Sequence, residues 1–470
     1  MYDIAFIGSG FNTKLKTIEI SSEKFINLRG QIGSFELLLK NTDASTCINA
    51  KTIVVNMDPA YIIPIEGAGS FDGNISDIAG SSDGTVVFIQ DYTGITPAYF
   101  NSVGIGKAMQ IRKDYGKEVV YFYKSLRFPD GDSSLFRRAR QAGVVFEKYG
   151  DADLRISHNG IFIFELKNMD YSYSISTGTV YAAPVISTGN SFGEISRTLN
   201  IISRKDGFLQ YDNVYLQPTK TNKRGVYALG FSRGLNGMSN LDEDIEFTIS
   251  DINSELVSLE SLTPESRKVD AEACALCYTC YRSCPHGAIE RDDEKNCMKI
   301  NSLSCFGCDT CITVCPAKAI SIEAAEAGDT AEPSDTEDGN TADDATLNTK
   351  KNYKILMCEN SARIAYEQMN LKLDDKAEIR YIPCSNSIKK ADLYRELSDM
   401  DSRILVLGCI NDACKHIDSN KRFELVVRET KRQMDQIGLD SSRIGFERVS
   451  LRMKNKLNEI LDGFLGGIDK

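Results

Sequence analysis

Apolar and polar positions alternate through much of residues 1–265. Stretches such as "TIVVNM", "GTVVFIQ", "KEVVYFY" and "IFIFEL" are rich in β-branched and aromatic side chains, and Gly, Asp and Asn punctuate them, so they are predicted as strands joined by turns. One segment departs from this period: "SVGIGKAMQIRKDYG" has helical spacing and lies between "TVVFIQ" and "EVVYFY". That order predicts a β-α-β unit with parallel strands. From residue 351 the two periods alternate: "YKILMC", a helix from about 361, "EIRYIPC", a helix near 388–399, "RILVLGC", a long helix near 420–437, "RIGFERVS" and a terminal helix. This predicts an open α/β domain with a mainly parallel sheet over 351–470.

Two segments fit neither period. Residues 266–322 are short and dense in cysteine, and 323–350 form a linker in which residues 323–349 hold nine acidic side chains and no basic ones. A stretch with so little apolar surface cannot offset the entropy of folding, and it is predicted to be a solvated tether. The chain is thus expected to be a multidomain α/β and α+β protein, divided at 1–265, 266–322, 323–350 and 351–470.

Composition narrows the chemistry. The net charge of −11 argues against nucleic acid, which needs clustered Lys and Arg. No run of 18 or more apolar residues offers a membrane span, and the start "MYDIAFIGSG" lacks the pattern of a secretory signal, so a cytoplasmic place is expected, with any membrane attachment made through partners. Three histidines are too few for multi-histidine metal sites, whereas fourteen cysteines in a reducing compartment point to metal rather than disulfides. Cys47 is the only cysteine before residue 270.

The strongest motif is repeated. "CALCYTCYRSCP" and "CFGCDTCITVCP" are both C-x2-C-x2-C-x3-C-P, offset by 31 residues, the ligand run of a bacterial two-cluster ferredoxin. In that run the fourth cysteine reaches the other cluster. One 4Fe-4S cluster is therefore assigned to Cys274, Cys277, Cys280 and Cys315, and the second to Cys305, Cys308, Cys311 and Cys284. Paired zinc ribbons would not need two identical runs with trailing prolines. "HGAIE" and "AKAISI" are expected to give a short helix and strand after Pro285 and Pro316. Cys297 is read as structural and His286 as a local hydrogen-bonding residue.

Four cysteines remain. Cys358, Cys384 and Cys409 each end a predicted parallel strand, and Cys414 follows Cys409 on one loop; the carboxyl edge of an open α/β sheet is where ligands bind. Four converging thiols suit a 2Fe-2S cluster or a tetrahedral zinc, with iron-sulfur favoured and inert buried thiols as the alternative. Lys415 and His416 flank the last thiol and are read as moderating its charge, with plain surface residues as the alternative.

On "CENS", "PCSNS" and "GCINDAC", residues 353–455 resemble the delta subunit of methyl-viologen-reducing hydrogenase. The resemblance implies a 2Fe-2S centre that passes electrons into a heterodisulfide reductase complex. Ser361 stands where that family carries the second cysteine of a C-x-x-C.

On "VVFIQ", "GKAMQIRKDYGKEVVYFY", "LFRRARQAGVVFEK" and "QPTKTNKRGVYALGF", the first 265 residues resemble the flavoprotein subunit of heterodisulfide reductase. The order of parts resembles the B subunit of the quinone-interacting membrane-bound oxidoreductase. FAD is nevertheless not favoured. "IAFIGSGFNT" offers Gly8 and Gly10 but Thr13 in place of the third glycine, and "KLKTIEISSEKF" reads as strand and turn where a helix is required. "GVYALGF" keeps Gly225 and Gly230 but has Phe231 at the polar position, and "DYTGITPAYFNS" lacks the cysteines of the resembled family.

The expected function is a relay of single electrons within a heterodisulfide reductase-like, hydrogenase-like or quinone-linked complex. The alternative is an oxidoreductase with its own flavin. No catalytic acid, base or nucleophile constellation stands out.

Overall fold

The computed structural model describes the chain except residues 41–44, 76–83, 129–132, 152, 168–171, 211–212, 217, 260–266, 323–351, 370–372, 374–376, 451 and 467–470. The acidic stretch read as a tether lies outside the described residues.

Among the described residues the amino-terminal part holds two larger sheets, a three-stranded sheet and a two-stranded pair, Ala60–Ile62 with Val185–Ser187. In the first, Tyr2–Gly8 lies between Thr17–Ile20 and Ser45–Asn56, parallel to both, and Val226–Ala228 returns from far along the chain to pair with Ser45–Asn56. Ser34–Lys40 and Phe25–Gln31 extend this sheet as antiparallel strands. Ile4, Ala5, Phe6 and Ile7 are all buried because both faces are covered, which removes the alternation of a half-exposed strand. Helix Gly189–Leu199 covers one face through Phe192, Ile195 and Leu199, and helix Leu241–Ser258 covers the other through Ile252.

The second sheet contains the predicted β-α-β unit. Thr85–Ile89, helix Ala98–Asp114 and Glu118–Tyr123 follow in order, and the two strands pair in parallel. Val145–Lys148 and Thr179–Ala182 add parallel strands on either side. A three-stranded antiparallel sheet, Leu154–His158, Phe162–Lys167 and Ser172–Thr177, packs Phe164 against Phe122 at 5.5 Å between ring centres.

The cysteine-dense part has two short antiparallel pairs, Arg267–Val269 with Ile320–Ile322 and Ile289–Asp292 with Cys297–Ile300. Its helices differ from expectation. They are Thr279–Ser283 and Thr310–Val314, inside the cysteine runs; His286 and Gly287 form a turn, because Gly287 has a positive φ of 57°.

The carboxyl-terminal domain is a four-stranded parallel sheet with helices on both faces. Its strands Tyr353–Cys358, Glu378–Ile382, Arg403–Gly408 and Ile444–Arg448, taken in chain order, lie in the spatial order second, first, third, fourth. Helices Ala362–Glu367 and Lys454–Leu465 pack on Ile355, Met357, Leu405 and Leu407. Helices Lys390–Glu396 and Ser419–Gln436 pack on Leu356, Ile404 and Val406. The strand order reverses between Tyr353–Cys358 and Arg403–Gly408, and at such a switch point the connections leave in opposite directions and open a crevice at the carboxyl edge. No helix among the described residues is long and apolar enough to cross a membrane.

Candidate metal centres

The two cysteine runs repeat in backbone as well as in sequence. Leu276 and Tyr278 flank Cys277 with φ of 48° and 58°, and Gly307 and Asp309 flank Cys308 with 64° and 57°. Left-handed backbone costs a non-glycine residue roughly 1–2 kcal/mol, so its repetition at both sites marks a shape the cysteines require. Left-handed residues of this kind make concavities of N–H groups that suit anions such as sulfur clusters. Accordingly the amides of Thr279 and Tyr281 reach Cys277 and Cys280, and those of Thr310 and Ile312 reach Cys308 and Cys311.

In space the thiols fall into two sets. Cys274, Cys277, Cys280 and Cys315 line one cavity, closed by Met298 and Ile320. Cys284, Cys305, Cys308 and Cys311 are close enough to oppose one another's ionisation. Burial first and the Cys308 sulfur next push the Cys284 thiol up to about 12, while the Ala288 amide donates to its sulfur at 3.4 Å. A metal cation would offset the cost of ionising thiols gathered in this way. Cys297 is buried beside Met298 in its strand, apart from both sets.

The carboxyl-terminal four are also buried together. Cys358 and Cys409 end the two strands on either side of the switch point, and their sulfurs lie 3.7 Å apart. Four thiolates around one metal at about 2.3 Å would be spaced by about 3.8 Å, so this pair has the edge length of a tetrahedral sulfur site. Cys384 and Cys414 complete the group, each hidden from solvent. A hydrogen bond from Cys409 holds the Cys358 thiol down at about 7, and bonds from Cys384 and Cys409 lower Cys414. The same bonds, with burial, raise Cys384 and Cys409. Ser361 precedes helix Ala362–Glu367, and its buried hydroxyl is near enough to Cys358 to help lower that thiol.

Two bridges join the second ferredoxin set to this group. Cys308 Sγ lies 3.4 Å from Thr310 Oγ1, which accepts from Asn386 Nδ2 at 3.0 Å, and the Asn386 amide turns back to Cys384. Beside it, His286 Nε2 is 3.0 Å from His416 Nδ1; the His286 amide reaches Cys284 and the His416 amide reaches Cys414. Cys308 Sγ lies with both imidazoles in a cluster whose ligand atoms are all within 4.8 Å of one another. Burial drives both rings towards the neutral form, His416 down to about 4. These findings correct two expectations. His286 does not bond locally but across 130 residues, and His416 is buried, because the loop carrying Cys414 is pressed onto the ferredoxin part; Lys415 between them is exposed. Composition hid these residues, and the only signal in the sequence was their place two residues beyond Cys284 and Cys414.

The first domain packs on both. Asn222 Nδ2 donates to the Pro285 carbonyl at 2.9 Å, and Asn213 Nδ2 donates to the Cys414 carbonyl at 3.0 Å.

The positions considered for a flavin do not fit one. Residues 9–16, which follow Tyr2–Gly8, form a loop and not a helix, so no helix amino terminus faces a pyrophosphate. Phe11 and Leu15 of that loop pack on the sheet face beside Phe6. Gly8 and Gly230, with φ of 98° and 53°, are pressed against Asn56, where a Cβ would stand 2.1 Å and 2.6 Å from its oxygens. Gly225 lies before strand Val226–Ala228 against Ile32 and Phe35. The glycines are explained by close packing within the protein.

Two family matches accompany this geometry. Residues 273–319 match the 4Fe-4S dicluster domain, and residues 354–470 match the delta subunit of methyl-viologen-reducing hydrogenase. None of the curated proteins matches the chain. Among solved structures it is similar to the HOCl-induced flavoprotein disulfide reductase RclA of Escherichia coli, at 13% identity and a TM-score of 0.32 over 54% of each chain. It is also similar to T. acidophilum thioredoxin reductase, at 11% identity and a TM-score of 0.31 over 49% of this chain and 73% of that one. The chain thus spans 54% of the length of the first of these.

Proposed function

We propose that this protein is an electron-transfer subunit in which Cys274, Cys277, Cys280 and Cys315 hold one 4Fe-4S cluster, Cys305, Cys308, Cys311 and Cys284 hold a second, and Cys358, Cys384, Cys409 and Cys414 hold a 2Fe-2S centre. The dicluster and hydrogenase delta-subunit matches support the general role. The observation that carries the reading is the Cys308–Thr310–Asn386–Cys384 path, which links two thiol sets through the side chains of Thr310 and Asn386 and the Asn386 backbone amide.

When bound, such clusters supply one-electron oxidation and reduction at potentials set by charge, burial and hydrogen bonds to sulfur. The chain's own residues do the rest. Amides of Thr279, Tyr281, Thr310 and Ile312 stabilise negative charge on the sulfurs they reach. Met298, Ile289 and Ile320 pack beside Cys280 of the first ferredoxin set, while Cys277 stays exposed to water. The neutral imidazoles of His286 and His416 fill the space between the second set and the carboxyl-terminal set without adding charge. Electrons would pass to or from a heterodisulfide reductase-like, hydrogenase-like or quinone-linked partner in the cytoplasm.

Reductive titration of the anoxic full chain tests this reading. Uptake of about three electrons per chain, one for each centre, is expected. Uptake of fewer than two would overturn the three-centre assignment. Anoxic co-purification then identifies the partner; recovery without any redox subunit would overturn the complex.

A further inference from the structure

A cavity of about 260 Å³ lies where the three described parts of the chain meet. Its walls come from Tyr215, Leu216, residues 220–227 and Glu255 of the first part, His286 and Phe306 of the ferredoxin part, and Lys415 and Ile417 of the carboxyl-terminal domain. Of the glycines considered for a flavin, Gly225 lies in its wall, at the entry to strand Val226–Ala228, whereas Gly8 and Gly230 do not line it.

The charge around it is one-sided. Lys220, Lys223, Arg224 and Lys415 line the cavity, and the one carboxylate in its wall, Glu255, pairs with Lys220 at 3.2 Å. Lys220 is further neutralised by Asp251 at 2.7 Å. The other three cations have no carboxylate at ion-pair distance among the described residues. Arg224 lies over the Phe306 ring at 4.7 Å and bonds the Leu303 carbonyl through Nη1. Lys223 is buried, with its amine on the Leu199 carbonyl at 3.3 Å. Lys415 is exposed at the rim. Burial lowers the Lys223 ammonium to about 8, with Glu290 and Cys284 acting on it from nearby, so Arg224 and Lys415 are the cations left without a nearby carboxylate, and an anion in the cavity would offset the cost of holding them together. The chain as a whole carries a net charge of −11, so this concentration is not a sample of its average surface.

The remaining wall mixes apolar side chains, among them Tyr215, Leu216, Val226 and Ile417, with the polar Thr221, Asn222 and His286. Pockets for small molecules join such surfaces to a few fixed polar groups. We infer that this cavity binds a small organic anion, a carboxylate, sulfonate or phosphate with an apolar part, with Arg224 and Lys415 holding the charge and Tyr215 and Ile417 beside the apolar part. An occupant would lie beside His286, whose Nε2 is bonded to His416, and would therefore report to the contact between the two thiol sets. The inference does not depend on which metals the cysteines hold.

The probe is 8-anilinonaphthalene-1-sulfonate, titrated into the anoxic full-length protein by fluorescence and calorimetry, with iron content measured in every variant. One saturable site is expected. Pyrophosphate, which carries charge without an apolar body, should displace it weakly, and neutral 1-naphthol should not. Lys415→Glu and Arg224→Gln should each weaken binding about tenfold or more, the loss of a charge-assisted contact. Lys415 is exposed, so its variant is expected to fold; Tyr215→Ala provides a second, uncharged test of the same site and should also weaken the probe. Affinity unchanged in all three variants, or no saturable binding, would overturn the inference.

Discussion

His286 Nε2 and His416 Nδ1 lie 3.0 Å apart in a buried contact that joins the ferredoxin part to the carboxyl-terminal domain. Each ring follows by two residues a cysteine assigned to a different centre, so the contact fixes the spacing of those centres. Removing one ring leaves the other's nitrogen buried without a partner, at a cost of about 1–3 kcal/mol. His416→Ala should lower the melting temperature of the loaded protein and slow electron exchange between the two centres while leaving iron content unchanged. A melt and a stopped-flow reduction check both.

Asn386 offers a cleaner probe of the relay. It donates to Thr310 at 3.0 Å, and its backbone accepts from Thr313 at 3.3 Å, so Asn386→Leu removes the side-chain link and keeps the backbone one. The expected result is slower exchange between the second 4Fe-4S cluster and the carboxyl-terminal centre, with both spectra intact. Unchanged exchange would show that this path is not used.

Cys358→Ala should abolish the spectroscopic signal of the carboxyl-terminal centre and spare both ferredoxin clusters, since Cys358 lies in a separate sulfur group 3.7 Å from Cys409. Ser361→Cys should leave that signal largely unchanged, because four thiols already fill the site. Cys297→Ala should leave all three signals and cost roughly 1 kcal/mol, the effect of trimming one small buried side chain.

Added FAD should not bind stoichiometrically, and Thr13→Gly should not change this. What the first domain lacks is a helix after Tyr2–Gly8, and restoring a glycine does not replace the loop that packs Phe11 on Phe6 at 4.8 Å. A tightly bound flavin in the purified protein would contradict the fit described above.

The parts legible in the sequence were those with a local cause. The doubled cysteine run, the β-α-β unit around Ala98–Asp114 and the four parallel strands of the last domain each follow from spacing within a short window. Even the missing flavin helix could be read from "KLKTIEISS". The contacts that organise the centres were not legible. His286 and His416 are 130 residues apart, and Asn386 and Thr310 are 76 apart, so only docking of complete domains brings them together. The switch point beside Cys358 and Cys409 likewise needs the strand order, which no single strand reveals.

Metal analysis decides whether the cysteines hold three iron-sulfur centres. Anoxically purified full-length protein should contain about ten iron atoms and about ten acid-labile sulfides per chain, from two four-iron clusters and one two-iron centre, with no zinc. Zinc with fewer than about four irons per chain would contradict it.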